Sequence, residues 1–403
     1  MGNLRLPKRF EIYDFKKSWL VHHKYGGIEM KVLMIDQIAK VNYKYSFSLS
    51  NAIKRKGTEI DLAIDLKKEK ENSICKRILL FNTDEKGIGK GAKLVNYVCS
   101  YMEILKLVKR ENYDIVHVQW LIFSPVDYYF LKKIKQTAGL KLVITIHDIL
   151  PFNQKFYDLH YHEKIYALAD QIVVQAENNI TRFREIFSEL MDKVTMIPHG
   201  NFMEYAEIAD KSSSREYLDI KEDKLVLLFF GQIKKVKGVG ILLEAFAKIH
   251  RKYPDVELII AGSVWKDDFA QYQKIIDENN MQSSVKTHIR YIQDNEIKYY
   301  YGAADICILP YLDVYQSGVI QLAYAYKKPV IATNIGAFKE IVIDKETGFL
   351  CESNSTNSLI NSIEDAIQNK KSLDEMGISG NKHISENFSW ERIADKTICI
   401  YKK

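Results

Sequence analysis

The chain has 403 residues, of which 47% are hydrophobic and 27% are charged, and its formal net charge at pH 7 is +6. This balance is that of a folded globular protein, and the length predicts two domains of about 150–200 residues each. Composition excludes a fibrous repeat, and the mild positive charge argues against tight nucleic-acid binding. No run of about 18 apolar residues occurs, so we expect neither a membrane span nor a secretory signal.

Apolar segments alternate with helical patterns through the first half of the chain. We predict strands at KVLMID (31–36), IDLAID, RILLFN, DIVHVQW, KLVITIHD, QIVVQA and KVTMIPHGN, with a long helix from about Ala92 to Arg110. Continuous apolar strands of this kind are typical of parallel sheets with helical crossovers. Residues 30–205 are therefore predicted to form a Rossmann-like domain. Residues 1–29 are predicted to be an extension ahead of it, with an added helix as the alternative.

The same alternation resumes after a polar stretch. Residues 206–222 are predicted to be a linker. Further strands are predicted at LVLLFFG (225–231), VELIIAG, VKTHIR, ICILP, PVIAT and TGFLC, with a helix from about Gly240 to Tyr253. Residues 223–384 are thus a second Rossmann-like domain. Such sheets bind ligands at the carboxyl ends of their strands, so the cleft between the two domains is the predicted site.

A glycine turn of the second domain has lysines suited to a diphosphate. In FFGQIKKVKGVG, Gly231 ends a strand, and Lys237 and Gly238 precede a helix. Lys237 could reach a diphosphate, and Lys234 could add charge in the same loop. The alternative is that these lysines are solvated loop residues.

A second turn of that domain begins a helix. In ICILPYLDVYQSG the helix begins near Ser317, where free backbone N–H groups favour an anion, and Gly318 lets a ligand approach the main chain. The alternative is a helix-capping serine followed by a permissive glycine. Two phosphate-compatible turns in one domain favour a nucleotide diphosphate as the ligand.

In their order and spacing, these segments resemble the retaining glycosyltransferases of family four, which have the GT-B fold and use nucleotide-sugar donors. FGQIKKVKG resembles the family's Gly-Arg-x(4)-Lys-Gly loop, and PVIATNIGAFKEIVIDKETGFL resembles its Pro-Val strand, glycine turn and glutamate. ITIHDILP, VTMIPHGN and FSWERIA match other family patterns, so the likeness covers nearly the whole chain from Met30. It implies an α/β GT-B fold with a deep interdomain cleft, in which residues 385–403 form a helix that returns to the N-terminal domain.

The resemblance also implies roles for individual residues. His147, near the reacting centre, and Lys237, on the leaving diphosphate, are the predicted catalytic residues. The predicted donor-binding residues are Gly231, Gln232, Lys234, Lys237, Gly238, Gln316, Ser317, Gly318, Val319 and Glu340. Residues placed on a possible acceptor side are Asp148, His117 and Gln119. The alternatives are a structural role for His147, a helix-start acid for Glu340, and a buried strand end for residues 117–120.

The chain departs from the family pattern at its paired glutamates. Aligned from AYAYKKPVIA, these positions hold Val314 and Leu322, and Gln232 stands at the family's usual arginine. Leu322 cannot accept hydrogen bonds from ribose hydroxyls. The chain resembles a branch with Gln-Ser-Gly in this loop, in which Gln316 would take over a donor-sugar contact and Lys234 would replace the missing charge.

We therefore expect a metal-independent, retaining hexosyltransferase that moves a sugar from a nucleotide-diphosphate sugar to a saccharide or polyprenyl-linked acceptor, in surface polysaccharide or glycan biosynthesis. Lysines and helix N-termini would stabilise the leaving diphosphate, and the chain has no Asp-x-Asp stretch for a metal clamp. No cofactor is expected beyond this co-substrate. The alternatives are a nucleotide-sugar epimerase of the same fold and a non-catalytic nucleotide-sugar-binding partner.

The expected location is the cytoplasm, with peripheral contact at the inner face of the cytoplasmic membrane. The sequence basis for that contact is a set of basic and aromatic stretches such as NYKYSF. Attraction between lysines and anionic headgroups would make the attachment reversible. No nucleic-acid partner is expected.

Overall fold

The structure is a computed structural model that describes residues 30–65, 73–81, 89–137, 139–151, 154–315 and 318–403. The predicted extension over residues 1–29 lies outside the described residues. Gln316 and Ser317 of the predicted donor loop also lie outside them, so their roles stay predictions.

The first domain is a parallel sheet covered by helices. Its strands are β1 (Lys31–Asp36), β2 (Glu59–Ile64), β3 (Lys76–Leu79), β4 (Ile115–Val118), β5 (Lys141–Ile146), β6 (Gln171–Val174) and β7 (Val194–Met196). Its helices are α1 (Ala39–Arg55), α2 (Lys90–Glu111), α3 (Ser124–Lys135), α4 (Asp158–Leu168) and α5 (Glu177–Ile186). The strands pair in the order β3-β2-β1-β4-β5-β6-β7. The central strands are buried on both faces, as their continuous apolar sequences predict.

The second domain repeats this plan. Its strands are β8 (Leu225–Phe230), β9 (Val256–Ala261), β10 (Val285–His288), β11 (Ile306–Leu309), β12 (Val330–Thr333) and β13 (Gly348–Cys351). Its helices are α6 (Lys211–Tyr217), α7 (Val239–Lys252), α8 (Ala270–Glu278), α9 (Ile297–Ala303), α10 (Gly318–Ala325), α11 (Phe338–Ile341), α12 (Thr356–Gln368) and α13 (Leu373–Asn387). The strand order is β10-β9-β8-β11-β12-β13. The predicted α/β architecture of two Rossmann-like domains is confirmed.

Strand order decides where each sheet can bind a ligand. The order reverses between β1 and β4 in the first sheet and between β8 and β11 in the second. A crevice opens at such a reversal, at the carboxyl ends of the strands. In the second domain this crevice is bordered by the loops that follow Phe230 and Leu309, which are the two turns that the sequence predicts to bind phosphate.

The predicted linker differs from the structure, because part of it belongs to the second domain. Residues 211–217 form α6, and Leu218 and Ile220 are buried in the core of that domain. The side chain of Arg215 is 1% exposed and donates to Oδ2 of Asp305 at 2.9 Å. This buried ion pair joins α6 to the start of β11, so the segment that links the domains is shorter than its polar sequence predicts.

The final helix, α14 (Trp390–Lys402), returns to the first domain as predicted, although it begins later than residue 385. Trp390 packs in one hydrophobic cluster with β1 and β2, and its indole N–H donates to the carbonyl of Asn201 at 2.7 Å. At the other end, the hydroxyl of Tyr401 lies 2.6 Å from Nδ1 of His117. The chain end therefore fastens the second domain to the first.

The aromatic residues of NYKYSF do not form an exposed surface, which corrects the sequence expectation. Tyr43, Tyr45 and Phe47 are 7%, 1% and 2% exposed. They belong to α1, which packs against the first sheet and α14. The hydroxyl of Tyr43 also donates to Asp294 of the second domain at 2.7 Å. The stretch thus serves the core and the contact between domains.

Candidate active site

Backbone contacts hold the loop between β8 and α7 in one conformation. Gly231 has φ +120°, and the N–H of Ile233 donates to the carbonyl of Ser263 at 2.9 Å. Residues Lys235–Lys237 make one 3-10 turn, and Gly238 follows in the left-handed region with φ +72°. Since α7 begins at Val239, directly after Gly238, the loop places Lys237 near the start of a helix.

Replacing Gly238 with alanine is expected to lower the free energy of unfolding by about 2–3 kcal/mol. An added Cβ would lie 1.9 Å from the carbonyl oxygen of Pro310, and φ +72° is strained for alanine. The matched control is Gly240→Ala in the first turn of α7, where an added Cβ would lie in ordinary contact with Cε1 of Tyr272 at 3.7 Å. That control should be at least as stable as the wild type. Urea denaturation measures both variants, and equal stability would contradict this description of the loop.

The ammonium of Lys237 lies in a confined, positively charged position. Its Nζ is 3.7 Å from the ring centroid of Tyr311, and Lys234 and Asp148 are its charged neighbours. Burial, and after it the charge of Lys234, lower the pKa of Lys237 to about 7 against the opposing effect of Asp148. Burial also lowers the pKa of Lys234. Two desolvated lysines beside one carboxyl leave positive charge uncompensated, which favours an anionic ligand.

The start of α10 adjoins the same loop. A Cβ added at Gly231 would lie 3.3 Å from Cγ2 of Val319, so the two predicted turns meet. A Cβ added at Gly318 would lie 2.8 Å from the ring of Phe202, so a larger residue would not fit there. The first turn of α10 has no acidic residue. The start of α10, which is the positive end of its dipole, therefore lies beside the loop that carries Lys234 and Lys237. Gln232 is exposed at the edge of this loop.

His147 lines a cavity of about 110 Å³ at the carboxyl end of β5. Its imidazole stacks on Trp120 with ring centroids 4.4 Å apart and meets the ring of Tyr45 edge-on at 5.0 Å. Nε2 lies 3.3 Å from Oε1 of Gln119. The side chain is 2% exposed, so these neighbours fix the orientation of the ring.

The environment of His147 keeps its ring neutral. Burial lowers the pKa of His147 to about 3, and the nearby His199 acts in the same direction. Because Oε1 of Gln119 is an acceptor, Nε2 carries the proton and Nδ1 keeps its lone pair. Within the described ranges, Nδ1 has no hydrogen-bond partner. The ring can therefore accept a hydrogen bond from a ligand hydroxyl, but it supplies no charge.

The three residues predicted for the acceptor side lie in different places. Asp148 and Gln119 line the His147 cavity, and burial raises the pKa of Asp148 to about 6 against the effect of Lys234 and Lys237. His117 is 1% exposed, and Nε2 of its ring lies 2.7 Å from Oγ1 of Thr145. The other ring nitrogen of His117, Nδ1, lies 2.6 Å from the hydroxyl of Tyr401 on α14. His117 thus fits the alternative of a buried strand end, and an acceptor-side role for it stays a prediction.

Glu340, a predicted donor-binding residue, contacts the first domain. Its carboxylate accepts from the backbone N–H groups of Glu177 and Asn178 at 3.1 and 3.2 Å. These are free donors in the first turn of α5, so the carboxylate caps that helix. On the same helix, Arg182 pairs with Asp313 at 2.5 Å. Glu340 therefore bridges the domains here, and its donor contact stays a prediction.

The two residues at the positions of the family's paired glutamates pack against apolar side chains of the second domain. Val314 is 3% exposed, and Leu322 is partly buried against the core of the second domain.

Across the described residues, no group of three or more His, Cys, Asp or Glu is placed to hold a metal ion.

Sequence reasoning missed several residues that shape the cleft. Trp120 and Tyr45 orient His147, and Tyr311 lies under the Lys237 ammonium. Gln175 and Gln321 are buried polar side chains that face the space between the domains. For Gln321 the sequence did contain a signal, because its amide is a polar group within the otherwise apolar helix α10, GVIQLAYA. The aromatic residues gave no comparable signal, because most aromatic side chains in this sequence pack in the core.

Comparisons with known proteins agree with this architecture. A family model described as "Glycosyl transferase 4-like" matches residues 31–176, and one described as "Glycosyl transferases group 1" matches residues 210–383. A D-inositol 3-phosphate glycosyltransferase of Paenarthrobacter aurescens is 25% identical over 324 residues, which cover 77% of this chain and 78% of that protein.

Solved structures share the fold over nearly the whole chain. The Anabaena protein HepE, in complex with UDP and glucose, has a TM-score of 0.74 and 19% identity, covering 92% of this chain and 98% of HepE. Sucrose-phosphate synthase from Thermosynechococcus elongatus has a TM-score of 0.74 and 19% identity, covering 93% and 98%. Identity this low establishes the fold alone. With both domains matched by glycosyltransferase families and both sheets in the same architecture, the chain belongs to the GT-B glycosyltransferases, as a glycosyltransferase 4-like domain followed by a group 1 domain.

Proposed function

We propose that the protein transfers a hexosyl group from a nucleotide-diphosphate sugar to a saccharide or lipid-linked acceptor, with retention of configuration and without a metal ion. The observation that carries the proposal is the meeting of the Gly231–Gly238 loop with the start of α10, which gathers Lys234 and Lys237 at the mouth of the cleft. Both lysines interact electrostatically with Asp148, which lies beside His147 in the first domain.

The chemistry follows from where charge develops. When the bond between sugar and diphosphate breaks, the departing phosphate gains negative charge. A desolvated ammonium and a helix N-terminus stabilise that charge more than they stabilise the intact donor. His147, neutral and held by Trp120 and Gln119, offers Nδ1 to a sugar hydroxyl near the reacting carbon. Asp148, with its pKa raised to about 6, is ionised at neutral pH and faces the same cavity.

A two-step experiment tests this function. The purified protein is first screened by thermal shift against UDP-, ADP-, GDP- and dTDP-sugars, because a ligand at 100 times its Kd stabilises the folded form by about 2.7 kcal/mol. Mass spectrometry then follows the donor that binds. The proposal expects release of the nucleoside diphosphate, which increases when a saccharide or polyprenyl-linked acceptor is added. Isomerisation of the donor without an acceptor would favour the epimerase alternative, which the comparisons do not support.

We propose peripheral membrane contact through a surface of α2 instead of NYKYSF. Leu94, Val95 and Met102 of this helix are 43%, 59% and 48% exposed. Five basic residues occur along the same helix, at Lys90, Lys93, Lys106, Lys109 and Arg110. Apolar side chains flanked by cations suit the interface of an anionic bilayer. Among the described helices, none combines the length and apolar character needed to cross a membrane.

Val95→Glu is expected to weaken binding to vesicles containing anionic lipid by about tenfold or more. The change removes a side chain worth about 1.5–3 kcal/mol when buried and adds a like charge. Vesicle sedimentation at low salt measures the effect. The matched control is Ile378→Glu on α13, where the isoleucine is 57% exposed in the second domain. Equal binding of the two variants, or indifference of the wild type to lipid charge, would count against this surface.

A further inference from the structure

Two buried glutamines from opposite domains line one cavity. Gln175 follows β6 and is 4% exposed, and Gln321 lies within α10 and is 0% exposed. Both line a space of about 270 Å³ between the domains, distinct from the His147 cavity. This is many times the roughly 10–15 Å³ that one buried water needs.

The amide groups of these side chains are not satisfied by the protein. In the part of the chain that the structure describes, neither the oxygen nor the nitrogen of either amide has a hydrogen-bond partner. The Gln175 amide approaches the His147 ring and the Tyr45 hydroxyl, but without hydrogen-bond geometry to either. A buried unpaired amide costs about 1–3 kcal/mol, so a cavity with two of them is built for a polar occupant.

The remaining walls restrict the chemistry of that occupant. Glu177 and Glu340 line the cavity, so a phosphate or another anion would be repelled. Pro198, Ile341 and Phe388 supply an apolar surface. An apolar ligand would leave the amides unpaired, whereas a neutral ring with several hydroxyls satisfies amide donors and acceptors and places its C–H bonds on the apolar wall. These features together favour a monosaccharide ring.

The cavity also lies where a donor sugar would extend. Gln321 is three residues beyond Gly318, which is about 4.5 Å along α10 from the proposed diphosphate position. Gln175 lies close to the His147 ring. The cavity is thus connected to the proposed diphosphate position through α10 and to the His147 ring through Gln175.

We propose that Gln175 and Gln321 bind hydroxyl groups of the donor sugar, so that this interdomain cavity is the sugar subsite of the chain. The proposal rests on the proposed function above.

Calorimetric titration of Gln321→Met and Gln175→Met tests the subsite. The probes are UDP-glucose and UDP, ADP-glucose and ADP, and GDP-mannose and GDP. For the pair that binds, each variant should bind the nucleoside diphosphate as the wild type does and bind the nucleotide sugar about tenfold more weakly. Gln282→Met, at an exposed position, is the matched control and should change neither affinity. Both buried variants should melt at or above the wild-type temperature, because methionine leaves no unpaired amide.

Three other calorimetric results would contradict the subsite, each in a different way. Equal weakening of nucleotide sugar and nucleoside diphosphate would overturn the subsite and show that the glutamines shape the phosphate site instead. Unchanged affinities in both variants would mean that the cavity holds water only. If the wild type bound no nucleotide at all, the proposed function would fail together with the subsite.

Discussion

Lys237→Ala is expected to lower kcat/KM for sugar transfer by roughly 30- to 1000-fold, the equivalent of about 2–4 kcal/mol of transition-state stabilisation. The ammonium lies 3.7 Å from the Tyr311 ring centroid, beside Lys234, and the Asp148 carboxyl compensates its charge only in part. Removing it deletes a contact to the leaving diphosphate but no core side chain. The melting temperature should therefore stay unchanged or rise. Steady-state kinetics and thermal melting measure the two effects.

Lys235→Ala is the matched control, because Lys235 is exposed in the same 3-10 turn. It should retain near-normal transfer. Lys234→Ala should have an intermediate effect, since Lys234 adds charge to the loop without lying at the helix start. Full activity in Lys237→Ala would remove the basis for the phosphate role.

The titration of Lys237 gives this prediction a pH signature. Its pKa falls from 10.5 to about 7 on folding, so between these values the unfolded chain holds more protons than the native one. The burial penalty is complete below about pH 7 and is relieved as pH rises toward 10.5, so this group makes the free energy of unfolding increase with pH. The affinity for the donor should depend on pH in the opposite direction, because the diphosphate binds the charged form of Lys237. Affinity for a nucleotide sugar should fall above about pH 7 in the wild type, and Lys237→Ala should lose that dependence.

His147→Ala is expected to lower kcat by about 100-fold while leaving the Kd for the nucleoside diphosphate nearly unchanged. The ring is fixed by Trp120 and Gln119 and has a free acceptor at Nδ1, so it would act on the sugar and not on the nucleotide. Its pKa of about 3 keeps it neutral, so the ratio of wild-type to variant kcat should stay constant from pH 5 to 9. Separate measurements of kcat and Kd test this. Parallel loss of turnover, nucleotide affinity and melting temperature would favour a structural role.

The strands and the Gly231–Gly238 loop were predictable because local sequence determines them. The run LVLLFF is buried almost throughout β8, and the glycines at 231 and 238 occupy positive φ where other residues are strained. Their order along the chain also indicates the second sheet and its ligand-binding edge. For these features, the sequence and the structure agree because neighbouring residues decide the conformation.

Features that depend on distant partners were not predictable in this way. Tyr43 and Tyr45 alternate with polar residues, yet α1 buries both because α14 and the second domain cover them. Arg215 has a polar sequence context, but Asp305, 90 residues later, makes it part of a core. Gln321 differs from its apolar neighbours only by an amide whose importance depends on Gln175 in the other domain. Long-range packing decides each of these cases.

Proton NMR of a reaction containing the nucleotide sugar found in the thermal screen tests the central claim most directly. With an acceptor present, the account predicts that nucleoside diphosphate appears together with a product whose anomeric proton shows the same configuration as the donor, and that Lys237→Ala produces neither at a comparable rate. Release of nucleoside diphosphate with inverted product would contradict retention. Absence of binding and of release across the whole donor panel would contradict the claim that this cleft is a nucleotide-sugar transferase site.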